Sequence, residues 1–186
     1  MAQRQQLLGM IEAALMAVLA FIIALIPLDL GNIFEIELGM IPIMVFAFRR
    51  GPKFGILAGF LWGILKLVSG DIVVLSFLQV FVEYVFAFAV TGLAGFGART
   101  IQSKLAQKAS PYATITWSVG LAVFVKYFIH FIAGVVYWSS YAPDGMNIYW
   151  YSFLVNGSSA LATFIVDGLL VMLICRAAPH LLRVKA

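Results

Sequence analysis

The sequence predicts an all-α integral membrane protein with six transmembrane helices, and three observations carry that expectation. Of its 186 residues, 63% are hydrophobic and only 11% are charged, less than half the roughly 25% charge of an average soluble domain. The mean hydropathy is +1.04. Apolar runs of about 18 residues or more recur along the chain, each long enough to cross a roughly 30 Å hydrocarbon core.

The first run, about 7–27, is too long for the apolar core of a signal peptide and lacks a small-x-small cleavage site before a polar chain. It reads as helix 1, with Ala13, Ala14, Ala17 and Ala20 forming a smooth face. Helix 2, roughly 37–48, is short for a span, which leaves it tilted or extended into the loop before it. Helix 3, 53–69, carries Gly55, Gly59 and Gly63, a doubled small-xxx-small stripe that lets another backbone approach closely. Helices 4, 5 and 6 occupy 72–97, 112–137 and 152–175. One small-residue stripe is expected inside the bundle, and the other is then a candidate docking surface for a second membrane protein. With no repeat, low-complexity segment or linker, residues 1–186 read as a single transmembrane domain.

The charges sort by connection. Arg4, Arg49, Arg50, Lys53, Arg99, Lys104, Lys108, Arg176, Arg183 and Lys185 fall at the chain ends or in the 49–53 and 98–111 connections. The other three connections hold Asp29, Glu35, Glu37, Asp71 and Asp144, with no Lys or Arg. The positive-inside rule therefore puts both termini in the cytoplasm, as an even number of helices requires. A basic face of this kind is general to such proteins and implies neither nucleic-acid binding nor lipid recognition. The single cysteine, Cys175, excludes an intramolecular disulfide and reads as a small apolar core residue.

Ionisable residues inside a span are costly and normally face the bundle interior or a polar cavity. Glu83 lies 12 residues beyond Asp71 in helix 4, roughly 18 Å along the axis, too deep to reach water by snorkelling. Ser76, Gln79 and Glu83 share one face of that helix. In helix 5, Lys126, His130, Gly134 and Trp138 recur every four residues and form one stripe rising towards the outer surface. Lys126 needs a partner, and Glu83 is the natural candidate. Tyr137, Trp138, Tyr141, Tyr149, Trp150 and Tyr151 cluster at the last outer connection, as an interfacial belt or a cage for a cation; both remain open. Helix 6 brings Tyr151 and Asn156 to its outer end, and helix 3 brings Trp62 near Lys66, which can snorkel. Asp167 is buried without an evident partner, whereas Glu12 is close enough to the inner face to reach water.

Glu83, the His130 and Trp138 rings and the Asn156 amide would line an outward-facing cavity suited to a small, flat, aromatic and cationic ligand. Other chemistry is poorly served. There is no phosphate-binding G-x-x-x-x-G-K-[ST] loop and no G-x-S-x-G context, and His130 and His180 are too far apart to begin a metal site. An intramembrane acid–base enzyme using Glu83, Lys126 and His130 would need a nucleophile or metal on the same face, and none is present.

Over nearly its whole length the chain resembles the substrate-binding (S) components of the energy-coupling factor vitamin transporters, and among them the thiamine-binding family. The strings that carry the resemblance are Ile41-Pro-Ile, Phe48-Arg-Arg-Gly-Pro, Gly55 and Gly59-Phe-Leu-Trp-Gly-Ile-Leu in helices 2 and 3. They continue with Glu83-Tyr84, then Lys126-Tyr-Phe-Ile-His130-Phe-Ile-Ala-Gly134-Val-Val-Tyr-Trp138, and Tyr151-Ser with Asn156-Gly. The resemblance implies six helices in a bacterial plasma membrane, an outward-facing thiamine pocket, no cofactor and no ATPase activity of its own. It places Glu83, Tyr84, Lys126, His130, Gly134, Trp138, Tyr151 and Asn156 at that pocket, and Trp62 is counted with them. It also implies partners: a transmembrane coupling subunit, docked through an Ala-x-x-x-Ala motif on helix 1, and two ATPase subunits. Ala13 and Ala17 have that spacing, while the flanking residues align the motif with Ala14 and Val18. Near Ile33, where the family carries a tryptophan, this chain offers Phe34. An S component for a different vitamin is the nearest alternative.

Overall fold

Capping decides where the helices of this protein begin and end. The computed structural model describes residues 2–26, 28, 34–70 and 72–183. Pro27, Asp29, Ile33, Asp71 and Lys185, which enter the sequence expectations above, lie outside the described residues. Six helices follow in order: α1 Ala2–Ala24, α2 Met40–Arg50, α3 Pro52–Ser69, α4 Phe77–Ala106, α5 Tyr112–Tyr137 and α6 Ile148–Ala177.

Helix α4 starts at Phe77 and not near 72, because Ser76 caps it: its Oγ accepts the Gln79 N–H at 3.1 Å. The Gln79 amide also ties down the approach, accepting from Leu75 N–H at 3.1 Å and donating to Val73 O at 3.2 Å. The same helix runs past its expected end at 97. It closes at Lys108, whose φ of 55° turns the chain while Ala109 N–H reaches back to Lys104 O at 2.8 Å. Helix α6 begins earlier than 152 because the Asn147 side chain accepts from the N–H groups of Tyr149 and Trp150 at 2.9 and 3.3 Å.

Five helices, all but α2, are long and apolar enough to cross a membrane. Helix α2, with 11 residues, is only about 16 Å long, so it does not span by itself. Met40, Ile43, Met44 and Phe48 expose none of their surface, which places α2 at the centre of the bundle. Its apolar depth is completed by residues 34–39, which enter as non-helical chain. That backbone is tolerated because protein, not lipid, meets its polar groups: Glu35 N–H donates to Ser159 Oγ at 3.1 Å and Glu37 N–H to Thr163 Oγ1 at 3.3 Å.

Both small-residue stripes pack inside. A Cβ on Gly55 would come within 3.0 Å of the Gly92 backbone, so α3 and α4 touch main chain to main chain there. Gly59 and Gly63 press in the same way on the carbonyls of Phe88 and Tyr84. On α1, Ala13, Ala17 and Ala20 are 0%, 1% and 0% exposed. The 13–17–20 spacing puts Ala13 and Ala17, expected as a docking face, on the inward side of α1. Ala14 and Val18 are the exposed pair.

One end of the bundle gathers the basic connections. Arg50 bonds Gln5 at 3.3 Å, Gln102 donates to Phe48 O and Arg49 O at 3.0 and 2.8 Å, and Arg183 donates to Leu105 O. These bonds join the start of α1, the α2–α3 turn, the end of α4 and the segment after α6.

Candidate functional site

The opposite half of the bundle holds the candidate site. A π-helical turn at Phe81–Phe86 interrupts α4, and such turns recur where a helix must redirect a functional side chain. Glu83 lies on it, 6% exposed. Its Oε1 accepts the Trp138 Nε1–H of α5 at 2.8 Å, and its Oε2 accepts from Gln79 Nε2. Among the described residues no cation pairs with this carboxylate. Two N–H donors hold it in place, but none of the described residues balances its charge.

The expected Glu83–Lys126 pair does not form. Lys126 is 2% exposed, and its Nζ lies 3.3 Å from Glu37 Oε2. The ammonium also sits over the rings of Phe88 and Trp62, at 4.3 and 5.1 Å from their centroids. The reason is depth. Lys126 is 12 residues below Trp138 on α5, roughly 18 Å along the axis, whereas Glu83 is level with Trp138. Glu37 meets Lys126 because residues 34–39 descend into the bundle, although the sequence places Glu37 in an outer connection.

Trp62, expected at the pocket, is fully buried. It packs edge-on against Phe88 at 4.5 Å and is pressed by Gly39, where a Cβ would strike its ring. It belongs to the packing around Phe88 and Lys126.

Of the remaining residues, Gly134 and Asn156 meet between α5 and α6. On α5, Gly134 faces α6, where an added Cβ would meet the Ser152 side chain and lie 3.3 Å from Asn156 Nδ2. Asn156 donates to Ser152 O and Oγ at 3.0 and 3.2 Å, and Ser152 Oγ donates to Phe131 O at 2.8 Å. Those bonds fix the amide, and among the described residues its Oδ1 accepts none. His130 is half-buried, its ring centroid 6.0 Å from that of Tyr127. The Tyr127 hydroxyl bonds Thr163 Oγ1 at 3.0 Å and donates to Glu35 O at 3.4 Å. Tyr84, beside Glu83, accepts the Val73 N–H at 3.0 Å. Tyr151 and Phe34 are half-buried. The outer aromatics divide between the two roles left open: Trp138 turns inward to Glu83, whereas Tyr149 and Trp150 are 60% and 53% exposed in the manner of an interfacial belt.

Glu83, Lys126 and His130 make no hydrogen bond or ion pair with one another, so the acid–base constellation does not assemble. No group of three or more His, Cys, Asp or Glu able to hold a metal occurs among the described residues.

Glu37, Ser152, Ser159 and Thr163 were not foreseen. A signal for most of them exists: Ser152, Asn156, Ser159, Thr163 and Asp167 recur at helical spacing, a polar stripe on an otherwise apolar helix. Its last member, Asp167, is 0% exposed, and neither carboxylate oxygen has a partner among the described residues.

Comparison with known proteins adds to this geometry. The model of the family described as thiamine transporter protein matches residues 10–183. The thiamine transporter ThiT of Lacticaseibacillus paracasei is 41% identical over 193 aligned positions, covering 100% of this chain and 95% of that one. ThiT of Bacillus subtilis is 30% identical, with 98% of each chain covered. The solved structure of ThiT from Listeria monocytogenes superposes with a TM-score of 0.91 at 33% identity, covering 97% of this chain and 100% of that one.

Proposed function

Because the chain belongs to the thiamine transporter protein family, we propose that it binds thiamine within the membrane and serves its uptake into the cell. It is a multi-pass protein of the bacterial plasma membrane, a transport protein and not itself an enzyme. Its ligand is its cargo, and no cofactor is needed for binding.

The observation that supports this reading best is the uncompensated Glu83 carboxylate. Thiamine carries a permanent positive charge on its thiazolium ring. Placed beside Glu83, that ring supplies the counter-charge that none of the described residues provides. Two unit charges 4 Å apart attract by about 4 kcal/mol at an effective dielectric near 20. Desolvating the cation offsets part of that gain, and the Trp138 ring adds cation–π attraction. His130, Asn156, Tyr84 and Tyr151 surround the place for the second, aminopyrimidine ring, and the free Asn156 Oδ1 suits its amino group. Gly134 lets α6 approach α5 closely, which brings Ser152 and Asn156 up to the site.

Residues 1–186 act as one substrate-binding domain, the S component of an energy-coupling factor transporter. A transmembrane coupling subunit and two ATPase subunits supply the work of transport. The basic end of the bundle, with both termini, faces the cytoplasm, and the site faces outward. Of the alanines on α1, Ala14 with Val18 is the pair open to the coupling subunit.

Titration of the purified protein in detergent with thiamine, and with an isostere whose thiazolium is replaced by a neutral ring, tests the proposal. Thiamine quenches the tryptophan fluorescence saturably, and the neutral isostere binds about ten- to a hundredfold more weakly. Equal affinity for both compounds contradicts the role given to Glu83.

A further inference from the structure

The Phe48-Arg-Arg-Gly-Pro string is not used by the site above. It lies at the other end of the bundle, where the α2–α3 turn and α4 enclose a cavity of about 700 Å³. Arg49, Arg50, Gly51, Phe96, Arg99 and Gln102 are among the residues that line it.

The polar groups there are arranged for an anion. Among the described residues Glu12 is the one carboxylate bonded to these arginines: Arg49 Nη2 donates to it at 2.7 Å, and Arg50 donates from Nε and Nη2 at 2.7 and 2.9 Å. Three guanidiniums against one carboxylate leave two positive charges in excess. Arg49 Nε is buried with no partner among the described residues. Arg99 is exposed and makes no hydrogen bond or ion pair among them. Helix α3 points its positive end at the cavity, with Gly51 as an N-cap that brings no side-chain acceptor. Gly51 has φ +84°, and a Cβ there would meet nothing within 4 Å, so the approach to the first turn of α3 is open. The negative end of α2 is covered, because Gln102 Nε2 donates to both Phe48 O and Arg49 O.

A guanidinium fork matches a phosphate group. The surroundings point to its source. Phe96, at the cavity, is 60% exposed, and Ile56 and Phe60 are 38% and 40% exposed on the face of α3 that continues from Pro52. An apolar track thus leads from the basic cavity along the outside of the bundle, as the acyl chains of a lipid require. A general basic face needs neither the cavity nor the track. We propose that this cavity is a phosphate-group site, filled by the headgroup of an anionic phospholipid whose chains lie along Phe96, Ile56 and Phe60.

The test uses the full-length protein, purified in detergent and titrated with phosphatidylglycerol, with phosphatidylcholine and with inorganic phosphate, read by native mass spectrometry and thermal shift. Arg99→Gln removes an exposed guanidinium, and Lys104→Gln removes a basic charge from the same end but not from the cavity. Thiamine binding checks the fold of each variant. Phosphatidylglycerol is expected to bind in preference to phosphatidylcholine, with Arg99→Gln weakening it about tenfold and Lys104→Gln leaving it unchanged. A response to inorganic phosphate that Arg99→Gln abolishes, with no added gain from the lipid, supports the phosphate site but overturns the lipid as its source. Equal losses in the two variants, or equal binding of both lipids, overturn the site.

Discussion

Lys126 Nζ stands 3.3 Å from Glu37 Oε2, with both side chains at most 5% exposed, and this buried pair joins α5 to the non-helical segment that leads into α2. Phe88 and Trp62 flank the ammonium. Removing one partner leaves the other charge buried and alone, at about 3–5 kcal/mol. Lys126→Met and Glu37→Gln should therefore each lower the midpoint of thermal unfolding in detergent markedly. The double variant should be less destabilised than the two single losses added together. Strict additivity would show that the two residues are not coupled.

Thr163 holds the same segment from α6. Its Oγ1 receives the Glu37 N–H and meets the Tyr127 hydroxyl. Thr163→Val keeps the shape and leaves a buried N–H without an acceptor, a loss of about 1–3 kcal/mol. Amide hydrogen exchange should accelerate at residues 35–37 in this variant. Unchanged protection there would mean that the segment is held in another way.

Much of this architecture was legible in the sequence, and the misplacements share a cause. Hydropathy found the long helices because lipid imposes a length on each span. It located α2 but could not say that a helix of 11 residues sits at the centre, since a fully buried segment and a lipid-facing one are equally apolar. The spacing of Lys126, His130, Gly134 and Trp138 puts them on one stripe, but a stripe states only direction. Which partner meets each residue depends on the depth of the opposite chain. Glu37 looked like a residue of an outer loop because nothing in its local sequence shows that the loop descends. The alanine stripe of α1 was ambiguous for a similar reason: small residues suit an internal contact and an external one equally. The caps at Ser76 and Asn147 were missed as well: the sequence expectation puts Ser76 inside helix 4 and begins helix 6 at 152, because hydropathy does not register a capping side chain.

Gly134 is where α5 and α6 come closest to the site. A methyl group added there would lie 3.2 Å from Ser152 Cβ and press on its hydroxyl. Overpacking of this kind costs about 1–3 kcal/mol. Gly134→Ala should weaken thiamine binding about tenfold or more, measured by isothermal titration calorimetry. Adding Ser152→Gly should restore part of the loss. If the second substitution worsens binding further, the steric account fails.

Trp138 contributes a ring and an N–H, and only the N–H bonds Glu83. Trp138→Phe retains an aromatic face and deletes the donor. A hydrogen bond to a charged group contributes about 1.5–3 kcal/mol, so the affinity for thiamine should fall about ten- to a hundredfold. Trp138→Ala should cost more, because the ring is lost too. Equal effects of the two variants would assign the whole contribution to the indole N–H.

In the proposed function, Glu83 supplies the charge that holds the cationic ligand. The most direct measurement is a thiamine titration of purified Glu83→Gln beside the unaltered protein, followed by tryptophan fluorescence. Glutamine preserves the size of the side chain and an acceptor for the Trp138 N–H; it removes the charge and exchanges the second oxygen, which accepts from Gln79, for an NH2 donor. Saturable quenching in the unaltered protein, with at least about a hundredfold loss of affinity in the variant, is the predicted result. Thiamine binding of equal strength in the two folded proteins would contradict it.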